Sequence, residues 1–299
     1  MPVRLWFAYS SLSAADYHID MVLDPNREVY PNAPLQFVAF EVRFPASPML
    51  ATQERRQELF NAVRGEFPIS QSAPAVDVQV VLQGSPGSPS PPQIVQENQL
   101  VLTDRARRRA VIIGTRALLV QTTAYTRYEE FVGWIDLAVR ALEATGEAAA
   151  IERIGLRYTD EIRIEGVEQP DDWTPYVVPL MLGPINVLEG AGTTTTQGLV
   201  QFAPAERERL TLRYGATQGW MVSPEGVLRT KTRDAGAYFL LDFDSFWMPS
   251  EDEELPEFVA DEVLRICDEL HGPVRKVFEA VITDKLRDDV LRRGSGQGA

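Results

Sequence analysis

Three short apolar segments, separated by connections of hairpin length, constrain the fold of this chain most strongly. They cover residues 98–103, 109–114 and 117–125, and only a few residues, many of them charged or glycine, join one segment to the next. A connection this short can join only antiparallel neighbours, because a parallel pair needs a crossover of a dozen or more residues. The three segments therefore predict successive antiparallel strands.

The rest of the chain mixes further strands with amphipathic helices. Apolar and alternating segments predict strands at residues 35–44, 76–82, 151–164, 193–202, 209–218 and 237–246. Helical spacing of apolar residues predicts helices at residues 52–64, 128–144 and 256–271, with a break at Gly272-Pro273 before a last helix that ends near residue 285. Residues 84–93, GSPGSPSPPQ, are typical of a flexible loop. This order indicates an α+β fold of mostly antiparallel sheets, each packed by helices.

The chain is predicted to divide into two related sheet-plus-helix units. Glycines and prolines between residues 166 and 192 mark the boundary. The division gives an irregular segment at 1–30, a first α+β unit at 31–165, a second at 166–290 and a disordered tail at 291–299. Residues 117–142 and 238–270 share one order, an apolar strand, an aromatic-rich turn and an apolar helix with an acidic start. Duplication and convergence both explain this shared order, so both stay open. Duplicated units would pack side by side with a groove between them.

Composition limits the partners and the location. The formal net charge of −14 disfavours nucleic acid, whose phosphates require clustered Lys and Arg, and suits a basic partner. No apolar run approaches the roughly 20 residues of a membrane span, and the first residues lack a signal peptide's apolar stretch. We therefore expect a soluble, cytoplasmic protein without membrane contact.

Two aspartates in one predicted strand are candidate metal ligands. Asp242 and Asp244 stand two residues apart, so both carboxylates should lie on one face of the sheet. Metal-dependent nucleases and phosphatases often use such a pair. The alternative is an ordinary solvated sheet face, on which alternating aspartates are common.

An arginine-rich strand supplies the candidate binding residues, which are Arg153, Arg157, Tyr158, Asp160 and Arg163. The three arginines share one face by strand alternation. Guanidinium groups bind carboxylates and phosphates through two hydrogen bonds, so this face could hold an anionic ligand or a partner segment. A ladder of cross-strand ion pairs explains the same pattern without a ligand.

No catalytic or cofactor-binding motif occurs in the sequence. His18 and His271 are the only histidines and fall in no metal-binding pattern, and neither a nucleophile elbow nor a phosphate-binding glycine loop is present. Cys267, the only cysteine, falls in an apolar helical stripe and is predicted to be a core residue. Because the sequence has a single cysteine, an intrachain disulfide and a cysteine-ligated zinc site are excluded. No cofactor is predicted.

Three segments carry a family resemblance: PNAPLQFVAFEVRF, YTRYEEFVGW and IERIGLRYTDEI. Over roughly residues 30–290 the chain resembles a sporadically distributed prokaryotic family of uncharacterised proteins with an N-terminal E-x-R-F strand and an R-I-G-L-R-Y strand. The matching positions are Pro31, Pro34, Glu41, Arg43, Phe44, Tyr128, Trp134, Arg153, Gly155, Leu156, Arg157 and Tyr158. Thr159-Asp160 and Gln36-Phe37 depart from the family pattern. The resemblance implies a shared two-part antiparallel α+β body and no particular chemistry.

These observations favour a non-enzymatic binding or interaction protein. The resemblance to a sporadically distributed family suggests an assembly or regulatory component of a mobile or defence-associated system, such as antiviral defence. Its partner is expected to be another protein, or a second copy in a homodimer. One alternative is a metal-dependent hydrolase or nuclease that uses Asp242 and Asp244. Another is a chaperone-like peptide binder, which predicts a wide apolar groove between two sheets.

Overall fold

The computed structural model describes residues 28–74, 98–185, 187–188, 192–219, 227–230 and 235–293. These residues contain nine strands: β1 (Leu35–Arg43), β2 (Ile69–Pro74), β3 (Asn98–Thr103), β4 (Arg109–Ile113), β5 (Ala117–Thr122), β6 (Arg153–Ile162), β7 (Gly198–Phe202), β8 (Glu208–Gly219) and β9 (Gly236–Trp247). The helices are α1 (Gln53–Val63), α2 (Tyr128–Thr145), α3 (Ala260–Val281) and the single turn α4 (Asp284–Leu286).

All nine strands form one antiparallel sheet, in the order β2-β3-β4-β5-β1-β6-β9-β8-β7. The predicted antiparallel α+β fold is therefore confirmed. Strands from both predicted units belong to this sheet, because β6 of the first pairs with β9 of the second over nine residue pairs, from Ile154–Trp247 to Ile162–Phe239. The sheet is thus continuous across the predicted boundary.

Strand alternation decides which side chains enter the core. In β1, Val38, Phe40 and Val42 are fully buried, whereas Glu41 and Arg43 lie on the opposite face. The buried face carries α1, α2 and α3, and the second face carries no helix in the described ranges. We call this second face the helix-free face. The main core therefore lies between the sheet and one helical layer.

The two long helices that pack on the sheet each have one end with an identifiable cap. α2 ends at Gly146, whose φ of 68° is left-handed and therefore favours glycine. α3 begins where the backbone N–H of Ala260 donates to Oε1 of Glu143 at 2.8 Å, so a carboxylate of α2 caps the positive end of the α3 dipole. This contact joins the two helices side by side.

The predicted break at Gly272-Pro273 is wrong, since α3 continues through Pro273 to Val281. A proline inside a helix removes one N–H donor and costs about 3 kcal/mol. The apolar stripe of α3 is buried on both sides of Pro273, at Leu270 and at Val274. Each buried side chain of this size stabilises by roughly 1.5–3 kcal/mol, which offsets the cost of the proline.

One further strand differs from the prediction. Strand β2 has the polar sequence ISQSAP and was not predicted from its pattern. The predicted strand at 76–82, the loop at 84–93, His18 and most of the predicted segments 1–30 and 291–299 lie outside the described residues. Among the described helices, none combines the length and apolar composition that crossing a bilayer requires.

Candidate functional site

β6 separates the predicted binding residues onto two faces of the sheet. Arg153 and Arg157 lie on the helix-free face, and Arg163 follows the strand and binds Glu161 there. Tyr158 and Asp160 lie on the helical face and line a cavity beside α3. The predicted residues therefore belong to two separate sites.

On the helix-free face, Arg153 joins three neighbouring strands. Its Nη1 lies 2.7 Å from Oε1 of Glu41 on β1, and its Nη2 lies 3.2 Å from Oδ1 of Asp244 on β9. The guanidinium carbon also lies 4.7 Å from the ring centroid of Phe246. A Cβ at Gly155 would clash with the guanidinium of Arg153, so glycine leaves the space that Arg153 occupies. Arg153 therefore takes part in cross-strand ion pairs, which explain an arginine-rich strand without a ligand.

Asp242 is the most enclosed carboxylate of this face. It is fully buried and binds Nε and Nη2 of Arg157 at 2.7 and 3.0 Å, while Thr159 Oγ1 donates to it at 3.3 Å. Nη1 of Arg213 lies 3.5 Å away. Burial acts to lower the pKa of Arg157, but hydrogen bonding to Asp242, together with the charges of Asp242 and Asp244, outweighs burial and leaves that pKa raised. Arg157 therefore remains a cation.

Asp242 and Asp244 lie on one face, as their spacing predicted, and both bind arginines. Asp244 is more accessible, with 27% of its side chain exposed. Within the described ranges, no group of three or more His, Cys, Asp or Glu is arranged to hold a metal ion. In this arrangement guanidinium groups neutralise the two carboxylates.

Part of the helix-free face is covered by the connection between β8 and β9. Leu228 is 7% exposed and packs on a small apolar cluster with Val101, Ala110 and Ile112. The backbone N–H of Arg229 donates to the carbonyl of Arg107 beside this cluster. The segment 227–230 thus covers the β3–β4 side of the face, at the opposite side of the sheet from β7.

β7 forms the edge of the sheet at that opposite side. It pairs only with β8 in the described part of the chain, and 61% of Leu199, 38% of Val200 and 39% of Phe202 are exposed. Leu199 is the register partner of Arg213 and so lies on the helix-free face. This edge therefore adjoins the arginine–aspartate network and presents apolar side chains on both faces of the sheet.

A cavity of about 140 Å³ lies between the sheet, α3 and the segment 30–34 that precedes β1. The sheet contributes Tyr158, Asp160 and Phe243, and α3 contributes His271, Val274 and Phe278. The hydroxyl of Tyr158 is 2.9 Å from Nδ1 of His271. No local sequence pattern indicates this pair, since 113 positions separate its members.

Asp160 is a buried acidic residue that lines this cavity. The residue is 5% exposed, and only burial and the charge of Asp242 act on its carboxyl group, with no hydrogen bond or cation of the described residues beside them. Burial, aided by the nearby charge of Asp242, raises the pKa of Asp160 to about 8. The carboxyl is therefore mostly protonated at neutral pH and can both donate and accept a hydrogen bond.

The rings around His271 fix its position. Tyr128 of α2 stacks on the His271 ring with centroids 3.9 Å apart and planes 5° apart, and its hydroxyl donates to Oδ1 of Asp268 at 2.8 Å. Cys267 is fully buried next to them, which confirms its predicted core position. Burial raises the pKa of the Cys267 thiol to about 12, so the thiol is protonated and poorly nucleophilic.

No protein-family model matches the chain, and no curated protein is significantly similar to it. The resemblance to the prokaryotic family consequently stays a prediction.

Proposed function

We propose that this chain is a non-enzymatic binding protein that pairs with an extended segment of another protein along β7. The observation that carries the proposal is the outer edge of β7, which has no partner strand in the described residues and exposes Leu199, Val200 and Phe202. A sheet edge offers a row of backbone N–H and C=O groups to an added strand.

The composition of β7 supports this role. Soluble proteins usually protect their edge strands with charged residues, prolines or bulges, because an apolar edge recruits other strands. β7 has the sequence GLVQF, which contains neither a charge nor a proline. Its exposed side chains alternate between the two faces, so an added strand would find apolar neighbours on both sides.

A different protein fits this edge better than a second copy. Five residues of strand extend about 17 Å, and three partly exposed side chains supply far less than the roughly 800 Å² that each partner buries in a standard interface. Two copies would also bring together net charges of −14 each. An extended segment of a basic protein avoids this repulsion, so we assign that partner to β7.

The experiment is purification of the tagged protein from its native cells at moderate salt, followed by reconstitution with the protein that co-purifies in stoichiometric amount. Leu199→Lys places a charge on the pairing edge and should weaken binding of the purified partner at least tenfold, about 1.4 kcal/mol. Met49→Lys is the matched control, because Met49 is apolar, 48% exposed and follows β1, which three strands separate from β7 in the sheet. Equal binding by both variants would exclude β7 as the site.

The two alternative functions gain no specific support from the geometry. For the hydrolase, Asp242 and Asp244 are already bound to arginines. For the chaperone-like binder, the described strands form one sheet, so no second sheet faces it across a groove. Saturable turnover of a substrate by the purified chain would contradict the proposed function. Identification of the co-purifying partner tests the prediction that this chain is a component of a mobile or defence-associated system.

A further inference from the structure

The cavity beside α3 contains a buried carboxyl group that no other residue explains. Asp160 is 5% exposed, lines the cavity and receives no hydrogen bond from the described residues. Polar groups in such surroundings are normally satisfied by protein, water or ligand. The carboxyl of Asp242, by contrast, is held by Arg157 and Thr159.

The walls of the cavity are largely aromatic and aliphatic. Phe243 and Leu35 come from the sheet, and Val274 and Phe278 come from α3. The volume of about 140 Å³ is close to that of an engineered cavity, about 150 Å³, that admits benzene. A single-ring molecule is therefore the right size.

We infer that this cavity binds a small neutral ring compound whose oxygen accepts a hydrogen bond from the carboxyl group of Asp160. The carboxyl group is the polar contact that orients the ligand, and the apolar walls supply the buried area. A carboxylic acid kept neutral by an apolar site is a hydrogen-bond donor, and the oxygen of a ketone or ether is its natural acceptor.

The charged groups around the cavity disfavour ionic ligands. Arg275 also lines the cavity and its charge opposes a cation, and a cation would have to ionise Asp160 in a low-dielectric site. An anion would meet the Asp160 carboxyl and the apolar walls. Of the other titratable groups there, Tyr30 donates to Glu279 at 3.1 Å, and Tyr158 lies 2.9 Å from Nδ1 of His271.

The test uses cyclohexanone, which has an acceptor oxygen and no donor, and cyclohexylammonium as its cationic counterpart. Ligand-observed NMR and calorimetry measure binding to the full chain between pH 7.5 and 9.5, above the usual titration of histidine near 6.5. We expect cyclohexanone to bind, with an affinity that falls about 25-fold over this range as Asp160 ionises. Cyclohexylammonium should bind more weakly than cyclohexanone at pH 7.5.

Two variants separate the role of Asp160 from a general effect of pH. Asp160→Asn keeps an N–H donor and a similar shape, so it should bind cyclohexanone with an affinity that does not change with pH. Val274→Phe fills the cavity and should abolish binding. Failure of the wild-type chain to bind cyclohexanone, tighter binding of cyclohexylammonium, or unchanged binding by Val274→Phe would each overturn the inference. None of these results depends on β7.

Discussion

Asp242 on β9 is fully buried and binds Arg157 on β6 through both its carboxylate oxygens, at 2.7 and 3.0 Å. The register partner of Arg157 is Asp244, so the guanidinium reaches diagonally across the strand pair to Asp242. The contact lies at the junction of the two predicted units. It therefore holds the two halves of the sheet in register.

We expect Asp242→Ala to destabilise the fold strongly. Removing one member of a buried ion pair leaves an uncompensated charge and costs about 3–5 kcal/mol. Asp244→Ala is the matched control, because Asp244 is partly exposed and makes one contact with Arg153 at 3.2 Å. Its loss should cost at most about 1 kcal/mol. Urea denaturation of both variants measures the difference, and equal free energies of unfolding would contradict a structural role of Asp242.

The pKa of Asp160 predicts a specific dependence of stability on pH. The carboxyl titrates near 3.8 in the unfolded chain and near 8 in the folded protein, so the folded state holds the proton more tightly. Its stabilising contribution is complete below pH 3.8 and is lost as the pH rises to about 8, by up to about 1.4 kcal/mol per pH unit. Asp160→Asn cannot ionise and should lose less stability over this range.

Urea denaturation at pH 5, 6.5 and 8.5 checks this dependence. The free energy of unfolding of Asp160→Asn should rise relative to the wild type as the pH increases. Asp261→Asn is the control, since the Asp261 side chain is 79% exposed, and it should follow the wild type. Parallel pH profiles for Asp160→Asn and the wild type would show that Asp160 titrates at an ordinary pKa.

Two glycines of the α2 region should respond in opposite directions to alanine. Gly133 lies in the exposed interior of α2 with nothing within 4 Å of an added Cβ, so Gly133→Ala should stabilise the chain by about 0.5–1 kcal/mol. Gly146 has a φ of 68°, so Gly146→Ala should destabilise it by about 1 kcal/mol. Thermal denaturation measures both, and stabilisation by Gly146→Ala would contradict the left-handed helix end.

Periodicity predicted much of this fold because alternation decides burial in strands. The pattern of β6 placed Arg153 and Arg157 on one face and Tyr158 on the other, and the structure has the same division. β2 escaped prediction because its polar sequence carries no alternating apolar residues. The continuity of α3 escaped because local rules assign a break to Gly272-Pro273, whereas packing on the sheet holds both halves of the helix in line.

The two candidate sites depend on contacts that local patterns do not contain. The cavity brings His271 next to Tyr158 because α3 crosses β6. Similarly, the sequence of β7 indicates a strand, but only the order of all nine strands shows that it lies at an edge. Strand order depends on long-range pairing, so the exposure of Leu199 could not be derived from the sequence.

Hydrogen–deuterium exchange of the complex with the co-purified partner tests strand addition at β7 most directly. An added strand would engage backbone N–H groups along the outer edge of Gly198–Phe202, so we predict that amides of β7 exchange more slowly in the complex than in the free chain. Unchanged exchange in β7, with protection appearing on the helices instead, would show that the partner binds elsewhere and would contradict the proposed function.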